Sequence, residues 1–160
     1  MEAKEIFEKL KEEFGDNIKE FVHEDNSDPY IEADPAEIVD ICLYLRDEDD
    51  LLFDYPVNLS GMDYPKEKSL GVVYHLYSIK FKHRLVLKVR LDKNDPVIHT
   101  TENVWKSMNW HERECYDMFG VIFDGHSDPR RILCPDDWEG HALRKDYKEP
   151  ETYKGIKVPY

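Results

Sequence analysis

The apolar positions of the chain change period twice. Ile6, Phe7, Leu10 and Phe14 recur every three or four residues, which predicts a helix over 3–14 that stops at Gly15-Asp16-Asn17. Short strands are expected at 18–23 and 29–33, turned at Asp25-Asn26-Ser27-Asp28. Asp34 reads as an N-cap, with Pro35 in the first helical position and Glu37 three residues after the cap. Ile38, Ile41, Cys42 and Leu45 mark the buried stripe of this second helix. The period then drops to two. Residues 51–60 place Leu51, Phe53, Tyr55, Val57 and Leu59 on one face, and Pro56 assigns that strand to an edge or a bulge. Residues 70–79 form a strand with bulky groups on both faces. Residues 83–91 alternate cleanly, Leu85, Leu87, Val89 and Leu91 inward and Arg84, Lys88 and Arg90 outward, with Lys80-Phe81-Lys82 as the hairpin connection. The order α-β-β-α-β-β-β is that of a two-layer α+β unit, a mostly antiparallel sheet with helices on one face.

Pro96 ends the sheet region and the helical period returns. Thr100 or Thr101 is expected to cap a short helix carrying Val104, Trp105 and Met108. Asn109 is expected to cap a second helix, Trp110 to Phe119, with Glu112 as its capping-box partner and Gly120 as its stop. Val121-Ile122-Phe123 adds a short strand turned at Asp124-Gly125. From Asp124 to Tyr160 regular periodicity is gone, and 4 Pro and 3 Gly interrupt the chain. The stretch still carries Ile132, Leu133, Trp138, Leu143, Tyr147 and Tyr153, side chains that gain about 1.5–3 kcal/mol each on burial. Such a segment either wraps its own domain or docks on another chain, and spaced Trp, Tyr and Arg favour docking. The expected division is an α+β domain over 1–97, a helical segment over 98–123 packed on it, and an extended partner-docking tail over 124–160.

The 160 residues suit one domain with an appendage. The net charge of −13 is unevenly spread: residues 1–54 hold 19 acids and 5 bases, 55–100 hold 4 and 8, and 101–160 hold 12 and 9. The surplus therefore belongs to the first third, either as a solvated face or as a surface that steers a partner. Bulk acidity argues against non-specific nucleic-acid binding. No apolar run approaches the ~18 residues of a membrane span, and Met1-Glu2-Ala3-Lys4-Glu5 does not read as a secretory signal. Three Cys without a CxxC pair fit a reducing compartment.

Candidates for chemistry are few. His111 and Cys115 share a helix face and begin a metal site only if Cys134 and His141 join, because a closed zinc site needs about four ligands. No HExxH, Gly-rich phosphate loop, GxSxG or Cys ladder is present. Glu112 and Glu114 are splayed by about 200° on the helix, so they are no acid/base pair. Arg113 and Asp117, four apart, are expected to pair on the helix surface for about 0.3–0.5 kcal/mol. The doublets Arg130-Arg131 and Arg144-Lys145 are flanked by acids and suit ion pairs to a partner protein. The residues themselves describe a binding subunit rather than an enzyme.

Two runs carry a resemblance. Trp105 to Gly120, WKSMNWHERECYDMFG, resembles the ERE-x-YD-x-FG signature of the thirty-kilodalton subunit family of respiratory complex I. Gly125 to Tyr147 is similar to the family's GHPDLRRIL…PDDWEGHPLRKDY block, departing from it at Ser127, Pro129 and Ala142. The resemblance implies a structural subunit of NADH–quinone oxidoreductase, in the peripheral arm on the cytoplasmic side of the membrane, attached to the membrane only through the complex. It implies no cofactor in this chain, FMN, iron–sulfur clusters and quinone being held by other subunits. The implied partner is the large hydrogenase-like subunit of the quinone site, with other peripheral-arm subunits around it. The implied interface and signature residues are Trp105, Glu112, Arg113, Glu114, Asp117, Phe119, Gly120, Arg130, Arg131, Trp138, Leu143, Arg144, Lys145, Asp146 and Tyr147, with the alternative for Glu112, Arg113, Glu114 and Asp117 that their helix only caps and packs within this chain. The equivalent small subunit of a membrane-bound energy-converting hydrogenase, or of a related dehydrogenase, is the alternative of the same fold.

Overall fold

A computed structural model describes residues 1–23 and 28–158. The expected turn at 25–28 lies, apart from Asp28, outside the described residues. The first helix, α1 (Ala3–Phe14), buries Ile6 and Leu10, and a capping box between Glu2 and Glu5 starts it. It leads to β1 (Ile18–Val22), antiparallel to β2 (Tyr30–Ala33). Asp34 caps the next turn by accepting the Ala36 N–H at 3.0 Å. A 3-10 turn over Pro35–Glu37 then passes into α2 (Ile38–Asp47), whose buried residues are Ile38, Ile41, Cys42 and Leu45, as the periodicity predicts.

Three long strands follow, β3 (Tyr55–Tyr64), β4 (Ser69–Tyr77) and β5 (Arg84–Asp92), each antiparallel to the next. The five-stranded order is β1-β2-β5-β4-β3, in which only β2 and β5 run parallel. Leu85, Leu87, Val89 and Leu91 point into a core shared with α1 and α2. The fold is thus α+β with a mainly antiparallel sheet.

The third strand differs from the expectation over 51–60. Leu51 and Phe53 are buried in the loop before β3, where Phe53 N donates to Leu45 O at 2.9 Å. The β3–β4 ladder slips between Pro56 and Asn58. Proline offers no N–H to the ladder, so the strand bulges there and reverses parity. Tyr55 and Val57 therefore face outward and Leu59 inward.

Beyond Pro96 the chain forms a strand that the sequence pattern did not predict, β6 (Val97–His99). It pairs in parallel with β7 (Ile122–Asp124) as a second small sheet. Three residues are too few to show a period. The short helix expected after Thr100 is replaced by turns, with Thr101 O accepting from Val104 N and Trp105 N. The last helix, α3 (Met108–Phe119), starts ahead of Asn109, and neither Asn109 nor Glu112 caps it. Ile98, Val104, Trp105, Met108, Cys115, Val121 and Phe123 complete the same apolar cluster as the sheet. The tail ends in a two-residue hairpin, β8 (Thr152–Tyr153) with β9 (Ile156–Lys157), which was also not predicted. Among the described residues no helix is long and apolar enough to cross a membrane.

Candidate functional site: the junction of the last helix and the tail

The first signature run forms α3, and its two buried carboxylates organise everything around it. Glu112 and Asp117 are both 0% exposed. A buried carboxylate is costly unless hydrogen bonds satisfy it. Glu112 accepts from the Thr100 hydroxyl, from Thr101 N at 2.7 Å and from the Thr101 hydroxyl at 2.7 Å. The two threonines therefore serve Glu112 and are not helix caps. Burial nevertheless raises the Glu112 pKa above its ordinary value, outweighing those hydrogen bonds and the nearby His126.

Asp117 has a denser set of donors. One oxygen accepts Arg131 Nη1 at 2.7 Å, and the other accepts the backbone N–H groups of Ile132, Leu133 and Cys134 at 3.1, 2.7 and 2.8 Å. Burial pushes its pKa up, but the Cys134, Arg131, Leu133 and Ile132 donors together hold it below the ordinary carboxylate value. The surface pair expected between Arg113 and Asp117 does not form. Arg113 turns the other way, donating to the carbonyls of Arg130 at 3.0 Å and Arg131 at 2.9 Å and lying 3.4 Å from Asp128.

The end of α3 explains how the tail attaches. The last four carbonyls of a helix have no partner within it. Here Gly120 N donates to Tyr116 O at 2.7 Å and Leu143 N donates to Met118 O at 3.1 Å. Arg131 Nη1 and His141 Nδ1 donate to Asp117 O at 3.2 and 3.0 Å, and Arg144 Nε donates to Phe119 O at 2.6 Å. The tail is thus the C-cap of α3, and it brings two guanidinium groups to the negative end of the helix dipole. Gly120, in the left-handed region at φ +73°, lets the chain turn beneath His141 and Arg144.

Two further contacts fix the ends of this junction. Lys93 bridges Asp63 at 3.0 Å and Asp146 at 3.2 Å, and Lys145 N donates to Asp63 Oδ2 at 2.7 Å. At the root of the tail, Glu102 accepts Ser127 N at 2.9 Å, the Ser127 hydroxyl at 3.0 Å and Asn109 Nδ2 at 2.6 Å. A proline, as the resembling family block has it, offers neither of the two Ser127 donors. His126 accepts Asp128 N on Nδ1 at 2.9 Å and donates from Nε2 to Asn109 O at 3.0 Å.

The expected site residues therefore divide by place. Trp105 is buried and its indole N–H donates to Phe53 O at 2.9 Å. Phe119 lies over Gly61 of β3, where an added Cβ would meet its ring at 2.3 Å. Arg131, Arg144 and Asp146 are bound within the chain, and Arg130, largely exposed, pairs with Asp128 at 2.6 Å. Glu114 is exposed and has no ion pair among the described residues. Trp138 packs against Tyr153 with the rings tilted, and Tyr147 lies against Gly140. Leu133 and Leu143 are 63% and 52% exposed. Among the described residues from 125 to 158, no apolar side chain is fully buried.

Sequence reasoning missed Glu102, His126, Lys93 and Asp63. It also missed Trp110, 70% exposed on α3, although a tryptophan off the apolar stripe of a helix was a readable signal. His111 and Cys115 do not assemble with Cys134 and His141. Among the described residues no three His, Cys, Asp or Glu side chains are grouped to hold a metal. Burial pushes the Cys115 thiol well up, against thiolate chemistry.

The family described as respiratory-chain NADH dehydrogenase, 30 Kd subunit, matches residues 31–153, which include most of the sheet, α3 and nearly all of the tail. The chain belongs to this family. A relative named as the C subunit of NADH-quinone oxidoreductase, from Chlorobium phaeobacteroides, is 48% identical over 161 residues, covering 99% of this chain and 96% of the relative. Another of that name, from Chloroherpeton thalassium, is 46% identical over 94% of this chain and 63% of its own length, so this chain spans under two thirds of it. Among solved structures, a trypsin-resistant fragment of Nqo5 superposes with a TM-score of 0.63 over 80% of this chain and 99% of the fragment, at 24% identity. A chain of the membrane-bound sulfane sulfur reductase, an archaeal respiratory membrane complex, superposes at 0.73 over 91% of this chain and 85% of its own, at 23% identity. At such identities these two likenesses concern the fold alone.

Proposed function

We propose that this 30 Kd-family chain is a structural subunit of NADH–quinone oxidoreductase. It holds the quinone module of the peripheral arm together and takes no electron itself. The large hydrogenase-like subunit of the quinone site is the partner, and the complex sits on the cytoplasmic face of the membrane. The observation that carries this reading is the tail. Its backbone is fastened to the domain at the end of α3, while Leu133, Leu143 and Ile156 remain exposed. A tail held by its polar atoms and wet on its apolar ones is half of an interface. The curated relative of nearly equal length supports the machine. FMN, iron–sulfur clusters and quinone then belong to other subunits, in keeping with a junction whose two buried carboxylates are engaged by the chain's own donors. The likeness to a sulfane sulfur reductase chain supports the alternative, a small subunit of a related membrane-bound hydrogenase or dehydrogenase, through its fold alone.

Limited proteolysis tests the reading. In the free chain, cleavage is expected first in the tail, at the exposed Lys148, Lys154 or Lys157, with the core surviving. Within the purified complex the same sites should be protected. Equal cleavage in both forms would overturn tail docking.

A further inference from the structure

Residues 68–91 hold six Lys or Arg and no acid, in a chain with 35 acids. The β4–β5 hairpin gathers them, and its turn over 78–83 is tightly built. Ser78 N donates to His83 O at 3.0 Å, Lys82 N to Ser78 O at 2.8 Å, Phe81 N to the Ser78 hydroxyl at 3.3 Å and Ile79 N to Asp54 Oδ1 at 3.0 Å. His83 is buried beneath the turn, 2.7 Å from Leu51 O through Nε2, with its ring between those of Phe53 and Phe81. This frame holds Ile79 and Phe81 in water, 59% and 40% exposed. Lys80, Lys82 and Arg84 surround them, all exposed, and among the described residues none of the three makes an ion pair. Beside the turn lies a cleft of about 220 Å³ lined by Val57, Tyr77, His75, Val86, Arg84 and Asp28. The Nδ1 atom of His75 is buried there without a hydrogen-bond partner among the described residues.

Rigid exposed apolar groups ringed by cations that make no ion pair among the described residues, Lys80 resting only over the Phe81 ring at 4.8 Å, are preorganised for a partner of the opposite charge, because little ordering entropy remains to be lost. We propose that the β4–β5 turn is a second docking site, for an acidic segment of another protein in the assembly. The partner's carboxylates meet Lys80, Lys82 and Arg84, and one of its apolar side chains enters the cleft beside Val57 and Tyr77. A pocket of that size fits a single side chain. The site is separate from the tail junction. It stands at the opposite end of β4 from Asp63 and Lys93, roughly 26 Å away at ~3.3 Å per residue. It needs only that the chain works among other proteins, as the tail reading also requires.

Lysine acylation footprinting of the native complex against the isolated full chain tests this, residue by residue. Lys80 and Lys82 are expected to react at least about tenfold more slowly in the complex, with exposed Lys4 and Lys66 unchanged as internal controls. Lys145 and Lys148 report the tail in the same experiment, so failure of one docking site is distinguishable from failure of the other. A Lys80→Glu/Lys82→Glu chain should keep its Tm, since neither side chain has an ion-pair partner to lose among the described residues. It should compete about tenfold less well than wild type for incorporation at low salt, a deficit that shrinks as salt rises. Equal labelling of Lys80 and Lys82 in both forms would overturn the proposal. So would protection that appears when phosphatidylglycerol vesicles are added to the isolated chain, which would assign the turn to lipid.

Discussion

Asp117→Ala releases the root of the tail while the sheet stays folded. The substitution leaves three backbone N–H groups and the Arg131 guanidinium without their acceptor at a buried position. Removing one partner of such a buried pair costs about 3–5 kcal/mol. That loss is local, because residues 131–134 contribute nothing to the apolar cluster of the domain. Hydrogen exchange at Ile132, Leu133 and Cys134 should accelerate by about a hundred- to five-thousandfold, the same free energy expressed as an opening equilibrium. Amides in β4 and β5 should be unchanged. The effect has a pH signature. Asp117 is held below its ordinary pKa of 3.8 in the folded protein, so its ionised form contributes stability above that value, and the contribution is lost as pH falls through the folded value. Wild type and variant should therefore converge in acid and differ fully at neutral pH. Unchanged exchange at the three amides would contradict the role given to this carboxylate.

Gly120→Val acts on the other side of the same junction. The left-handed backbone at φ +73° penalises any side chain, and a β-branched one most. A Cβ there would also lie 2.5 Å from His141 Nε2 and 2.8 Å from Arg144 Nη2. Backbone strain and overpacking together amount to about 2–4 kcal/mol. The side chains that clash are those that satisfy Asp117 O and Phe119 O, so relief of the clash uncaps α3. Tm should fall by about 4–16 °C, at 2–4 °C per kcal/mol for a chain near this size. Trypsin should then cut after Arg144 or Lys145 in the free chain much sooner than in wild type. A variant with wild-type Tm and an uncut tail would show that the tail docks without help from the helix end.

Much of this architecture was legible in the sequence, and the reasons for the rest are physical. The stripes of α1 and α2, the alternation in β5 and the signature helix follow from local periodicity. The slip at Pro56 was legible as a bulge, but its consequence, the reversal of Tyr55 and Val57, was not. Parity across a bulge depends on which residue is left unpaired. The expected cap by Asn109 and surface pair of Arg113 with Asp117 were both reasonable local choices. Each lost to a partner from outside the helix: Glu102 and Ser127 for Asn109, Asp128 for Arg113 and Arg131 for Asp117. Spacing rules see four residues along a helix. They do not see a tail that returns to cap that helix from 20 or more residues away. The same limit hid Lys93, which closes the junction between Asp63 and Asp146.

The central claim is that the apolar outer face of a tail fastened by its polar atoms is what the partner subunit reads. Incorporation of a Leu133→Asp/Leu143→Asp chain into the complex, in competition with wild type, measures that most directly. Both side chains are more than half exposed and the Leu143 N–H bond to Met118 O survives the change, so the free variant should match wild type in Tm. Loss of two buried leucines at the interface, at about 1.5–3 kcal/mol each, should lower incorporation at least a hundredfold. Incorporation equal to wild type, with the same Tm, would contradict the claim.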